Sequence, residues 1–225
     1  NSFTNFAMSG IDQRHIGIEL GFKVPLPVQG LAVEGALSWG EYIYTSNPYM
    51  TQTIDNSAEL VVNNQEVPYW KSHPIHKKYT EGGTVVYEKD LDGKYIVTGE
   101  QKHYVPSTPQ LASSLGLNYR TNSYWFFELD GQFFANSYLD MNPLYRTQMA
   151  VAGPDNEATP MEIEYMAAQE KFAPVFLLNA SVGKSWYIDR KYNFGFSLTL
   201  QNITNNRNVK TGGYEQTRLI DSESH

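Results

Sequence analysis

The chain has no cysteine, no long apolar run and no excess of basic charge, and each shortage closes off a class of protein. Without Cys there is neither a disulfide framework nor a thiolate metal centre. No segment approaches the ~18–20 consecutive apolar residues of a membrane helix; the longest clusters, around residues 124–127 and 176–178, are brief and broken by polar groups. With 17 basic and 24 acidic side chains the net charge is −7, which leaves no basic face for phosphates, so no nucleic-acid partner is expected. The apolar share of 41% is still too high for a disordered chain.

What the sequence has instead is alternation. Ile16, Ile18, Leu20, Phe22 and Val24 interleave with His15, Gly17, Glu19, Gly21 and Lys23, until Pro25 and Pro27 end the ladder. A second run carries Leu31, Val33, Leu37 and Trp39 against Ala32, Glu34, Ala36, Ser38 and Gly40. The third sets Leu111, Leu115, Leu117 and Tyr119 opposite Ala112, Ser114, Gly116 and Asn118. After a tight turn at Arg120-Thr121-Asn122, the fourth sets Trp125, Phe127, Leu129, Phe133 and Ala135 against Glu128, Asp130 and Gln132. The fifth has Phe176, Leu178, Ala180, Val182 and Trp186 opposite Asn179, Ser181, Gly183 and Ser185, and the sixth alternates Tyr192, Phe194, Phe196, Leu198 and Leu200 with Asn193, Gly195, Ser197 and Thr199.

Several runs reach the ~9–11 residues with which a tilted strand crosses a bilayer, whereas soluble strands average ~5–6. The connections are sorted by length: those after the first, third and fifth runs are short, and those at about 46–108, at about 136–174 and after the sixth are long. In an up-and-down barrel this places every short turn on one side and every long loop on the other, as in outer-membrane barrels. Tyr119, Tyr124, Trp125, Trp186, Tyr187 and Tyr192 bracket the short turns, and Trp39, Tyr42, Tyr44, Phe133, Phe134 and Tyr138 the opposite ends. Such rings suit the two membrane–water boundaries.

The pattern therefore predicts an all-β chain, an antiparallel up-and-down transmembrane β-barrel segment of about six strands, in the cell outer membrane and against its lipid bilayer. Six strands are too few to close a barrel, since bacterial barrels begin at eight and open edges in lipid leave backbone groups unpaired. Further strands are expected elsewhere, and the Asn1-Ser2-Phe3 start and Asp221-Ser222-Glu223-Ser224-His225 finish read as cut ends.

Four smaller constellations bear on chemistry. His73-Pro74-Ile75-His76 offers two imidazoles three apart with no evident third ligand, so solvated loop histidines are expected and no metal. Asp90-Leu91-Asp92-Gly93 lacks a full calcium-loop pattern and reads as a hairpin turn between Thr84-Val85-Val86-Tyr87 and Lys94-Tyr95-Ile96-Val97. Glu19, Glu34, Glu128 and Asp130 fall on the polar face, where bonding to lumen water or neighbouring strands is expected rather than catalysis. The loop residues Tyr69, Trp70, Tyr138, Tyr145 and Arg146 are the candidate ligand contacts, able to stack on sugars or engage an anionic chelate, with mutual packing of the loops as the alternative. No catalytic residue and no cofactor is expected.

Four segments carry a family resemblance. Gln13-Arg14-His15-Ile16-Gly17-Ile18-Glu19 resembles a strand opening common in the barrels of TonB-dependent outer-membrane receptors, and Val105-Pro106-Ser107-Thr108-Pro109-Gln110 resembles the lead into a later strand. Asn202-Ile203-Thr204-Asn205-Asn206 looks like an Asn-rich box late in these barrels, and Lys210-Thr211-Gly212-Gly213-Tyr214-Glu215-Gln216 like its Bacteroidetes version. The resemblance covers residues 1–225 and implies the C-terminal part of a barrel of about 22 strands, with the plug domain and last strands outside this chain. It further implies import of a nutrient (iron complex, cobalamin, glycan or peptide) with TonB-derived energy, the TonB complex as partner through the plug, and a possible surface lipoprotein over the loops. A passive porin-like barrel and a soluble secreted glycan-binding β-sandwich are the alternatives that the residues leave open.

Overall fold

The computed structural model describes residues 4–54, 60–106, 108–152, 158–189 and 191–209. In chain order its strands are β1 (Thr4–Ser9), β2 (Gln13–Pro25), β3 (Leu31–Tyr44), β4 (Tyr49–Ile54), β5 (Leu60–Glu66), β6 (Ser72–His76), β7 (Lys78–Glu81), β8 (Thr84–Tyr87), β9 (Val97–Lys102), β10 (Leu111–Arg120) and β11 (Trp125–Ala135). A 3-10 turn (Pro143–Arg146) and helices α1 (Gln148–Ala152) and α2 (Pro160–Ala167) follow, then β12 (Val175–Ile188) and β13 (Tyr192–Leu200).

Six strands make one antiparallel sheet in the order β13-β12-β11-β10-β3-β2, a meander in which each long strand lies beside its neighbour in the series. These are the six alternating runs of the sequence. All-β architecture holds, the short helices aside. Among the described residues the sheet is open, with β2 and β13 as its edges.

The short connections are tight. Leu26 and Leu31 close the β2–β3 turn through Leu26 N–H to Leu31 O at 2.9 Å, and Thr121 N–H donates to Trp125 O at 2.9 Å. Gly30 holds φ +81°, and a Cβ there would lie 1.8 Å from Arg120 O, so the first turn and the end of β10 meet only because this residue has no side chain. Tyr124 and Asp189 take φ 64° and 50° in the other two turns.

Register puts the alternation on two faces. Ile18 pairs with Trp39, Trp39 with Leu111, Leu117 with Leu129, Phe127 with Val182 and Val182 with Leu198, so one face is apolar across all six strands. Among the described residues nothing covers it: Ile16, Leu20, Leu115 and Phe194 are 61, 62, 60 and 59% exposed. The other face is small and polar, with Lys23–Glu34 at 3.0 Å, Arg120–Glu128 at 3.9 Å and Gln132 Nε2 donating to Asp130 Oδ1 at 2.6 Å. Three of the four acids expected there thus meet neighbouring side chains, as a carboxylate beside cations and amides must.

The aromatic residues divide differently from the expectation of two belts. Tyr119, Trp125, Trp186, Tyr192, Trp39 and Phe133 share the apolar face, but Tyr42, Tyr44, Phe134 and Tyr187 have the opposite parity and share the polar one. Adjacent aromatic positions in a strand cannot both face the same way.

The buried core is not in the sheet but at its long-loop end. Tyr44, Met50, Val67, Trp70 and Met141 form one cluster, and Val151, Ile163 and Ala167 a smaller one. The segment expected as loop 46–108 folds into β4 to β9: β4 and β5 form a sheet with the N-terminal β1, β6 pairs with β9, and β7 with β8.

Candidate functional site

The side chains that the sequence singled out for binding gather in the segments at the long-loop end. Asp90–Lys94 does turn as expected, with Asp90 Oδ1 accepting from Asp92 N–H and Lys94 N–H at 2.9 and 2.8 Å. The flanking strands pair otherwise, however: Thr84–Tyr87 takes Lys78–Glu81 through Gly82 and Gly83, and Val97–Lys102 takes Ser72–His76. Two glycines with positive φ offered the tighter hairpin, and the Asp90 turn is left with a single bridge, Lys89 to Tyr95.

The histidines are the chief departure from the sequence reading, which left His73 and His76 in solvent. Both are buried, His76 lying at a register irregularity of β6 against β9. His73 Nδ1 lies 2.9 Å from His103 Nε2, and His103 Nδ1 lies 2.9 Å from Trp70 O. A carbonyl only accepts, so His103 carries its proton on Nδ1 and accepts at Nε2 from His73 Nδ1–H. Burial drives His103 down to about 3 and also lowers His73 and His76, so the chain of rings stays neutral. Nothing in the sequence flags His103, which lies thirty residues from its partner.

The candidate contacts divide by burial. Trp70 is 4% exposed and belongs to the Tyr44–Met50 cluster, packing edge-on to Tyr44 at 5.3 Å. Arg146 is 5% exposed; its Nη1 and Nη2 donate to Asn142 O and Ala168 O at 3.2 and 3.0 Å, and burial brings it down to about 10. These two side chains tie loops together. Tyr69 is half-buried against Val151, Ile163 and Ala167, and Tyr145 is also half-buried. Tyr138 reaches an open groove, where it stacks on Tyr104 at 4.2 Å and 10°.

That groove, about 430 Å³, lies where β2, β3 and the loops meet, between Ile16, Trp39, Glu41, Tyr104, Asn136 and Tyr138. Gln110 builds its floor: Oε1 accepts from Tyr42 N–H at 2.6 Å, and its carbonyl accepts from Gly40 N–H at 2.9 Å. Glu41 is held by Arg14 at 2.6 Å and Lys102 at 2.8 Å. Flat rings, amides and a carboxylate can hold a ligand by stacking and hydrogen bonding. Among the described residues no group of three His, Asp or Glu side chains is placed to hold a metal ion.

Behind these loops, α2 anchors the smaller cluster. Thr159 and Glu162 form a capping box, with Glu162 N–H to Thr159 Oγ1 at 3.3 Å and Thr159 N–H to Glu162 Oε2 at 2.8 Å. The helix presents Glu164 to Lys78 and to Tyr87 Oη, the latter at 3.2 Å. Thr159-Pro160-Met161-Glu162 is a legible helix start in the sequence. Asn202, at φ 50° just beyond β13, accepts from Asn206 N–H through Oδ1 at 2.9 Å, and its own N–H donates to Asn179 Oδ1 at 2.9 Å. The Asn-rich box thus turns the chain back over β12. The Lys210–Gln216 motif lies outside the described residues. No family model, curated protein or solved structure matches this chain.

Proposed function

We propose that this chain supplies part of the wall and outward loops of an outer-membrane β-barrel receptor of the TonB-dependent type, importing a nutrient such as an iron complex, cobalamin, glycan or peptide. The observation that carries the reading is the uncovered apolar face. In water, contiguous apolar patches beyond a few hundred Å² are rare on folded proteins, and six strands bearing exposed Ile, Leu, Phe and Val have no counterpart layer among the described residues. Acyl chains are the solvent that such a face fits.

Dimensions agree. The apolar positions from Ile16 to Val24, Leu31 to Trp39 and Tyr192 to Leu200 each cover eight residue steps. At ~3.4 Å per residue that is about 27 Å along the strand, or roughly 20 Å across a bilayer at a ~40° tilt, before the side-chain ends are added. An outer-membrane barrel carries an apolar band ~25 Å tall. Short turns on one side and a folded loop body on the other suit periplasmic turns and extracellular loops. The receptor type rests on the four sequence motifs, and in such a receptor the plug, the TonB contact and any lipoprotein partner lie outside these residues.

Fractionation tests the membrane part: the intact product is expected in the outer-membrane pellet, released by detergent alone. A product soluble without detergent would overturn it. Energy coupling is tested separately, by nutrient uptake in cells with TonB deleted. Lost uptake supports the receptor, and undiminished uptake points to a passive barrel.

A further inference from the structure

Charges on the apolar face are few and unevenly matched. Across the six strands of that face only Arg14, Glu41 and Lys184 are ionic. Arg14 and Glu41 pair at 2.6 Å at the long-loop end. Lys184 stands alone at the short-turn end, and among the described residues no carboxylate pairs with it.

Its surroundings are specific. Register places Lys184 between Trp125 on β11 and Phe196 on β13. Its ammonium lies 5.0 Å from the Trp125 ring across on β11 and 5.3 Å from the Trp186 ring two residues along β12, so two indoles contact it. Cation–π attraction fixes the position of such a charge without neutralising it. It lies four residues before Ile188, the end of β12, with Trp186 and Ile188 beyond it on the same face towards the connection to β13.

We propose that Lys184, Trp125 and Trp186 form a binding site for the phosphate of an anionic phospholipid in the leaflet at the short-turn side. This rests on the membrane reading above. A cation on a face immersed in acyl chains reaches the interface and takes its counter-ion there. The indoles lie along the glycerol and upper acyl chain while their N–H groups stay in the polar layer. The Arg14–Glu41 pair at the other end has its counter-ion already and draws no such lipid.

The test uses the intact membrane protein in lipid–detergent micelles, with phosphatidylglycerol or phosphatidylcholine brominated near the head of the acyl chain as the probe. Quenching from Trp125 and Trp186 is assigned by Trp125→Phe/Trp186→Phe. Half-quenching is expected at a mole fraction about fivefold lower for the anionic lipid, the worth of one basic side chain at an anionic surface. Lys184→Gln should bring the two lipids level and Lys184→Arg should keep them apart. Equal quenching in the unmodified protein, or a preference that survives Lys184→Gln, overturns the site. No quenching by either lipid overturns the membrane reading itself, a different outcome from equal quenching by both.

Discussion

His103 has none of its surface exposed, and its ring links the Trp70 carbonyl to His73 through two hydrogen bonds of 2.9 Å. Its folded value of about 3 lies well below that of an exposed imidazole, with desolvation as the cause. The unfolded loop therefore binds the proton first as pH falls. Stability from this residue is complete above about pH 6.5, declines by about 1.4 kcal/mol per pH unit as the medium is acidified, and stops declining below about 3. His73 and His76 shift the same way and add to the slope. Limited proteolysis of the loops across this range is expected to show cutting that accelerates with acid. His103→Phe should flatten that dependence, yet weaken the loop body at neutral pH by about 1–3 kcal/mol for each group left unpaired, read as faster cutting at pH 7.

The sheet makes its own predictions at the scale of strand and turn. Leu198 is exposed on the apolar face and Ser197 on the polar one, one residue apart on β13. Leu198→Arg is expected to lose ~2–4 kcal/mol of stability in bilayers, the cost of a cation near the midplane, and Ser197→Arg much less. Urea titration in lipid vesicles reads both, and equal losses would contradict the assignment of faces. At the turn, Gly30→Ala sets a Cβ against the Arg120 carbonyl at a φ that L residues avoid. A loss of about 1–3 kcal/mol is expected in the same titration. The strands were readable because each repeats its pattern for nine residues or more. In the loops, strands of four to seven residues such as β5 and β7 repeat too briefly to stand out, and α2 went unread within the loop 136–174, although Thr159 and Glu162 carry a capping signal.

On the scale of the whole molecule, β2 and β13 are open edges of 13 and nine residues among the described residues, exposed at every position. Unpaired edges recruit other strands. Refolded alone in detergent, the 225-residue chain is expected to self-associate through them, as measured by light scattering. A stable monomer would remove the need for strands from elsewhere. Sequence by itself determined the six long strands and the two-faced character of the sheet, because period-two alternation is a local property that each strand carries alone, while the sorted short and long connections pointed to their meander. It did not determine what the loops do with their polar and aromatic side chains. Tyr69, Trp70, Tyr138, Tyr145 and Arg146 looked alike as loop residues, yet only the tertiary structure sent Trp70 and Arg146 inward and Tyr138 to the groove. The same holds for His73 finding His103 and for Lys184 meeting the Trp125 ring on the neighbouring strand. Such contacts join residues remote in sequence or on different strands, and distance along the chain carries no information about them until the backbone is folded.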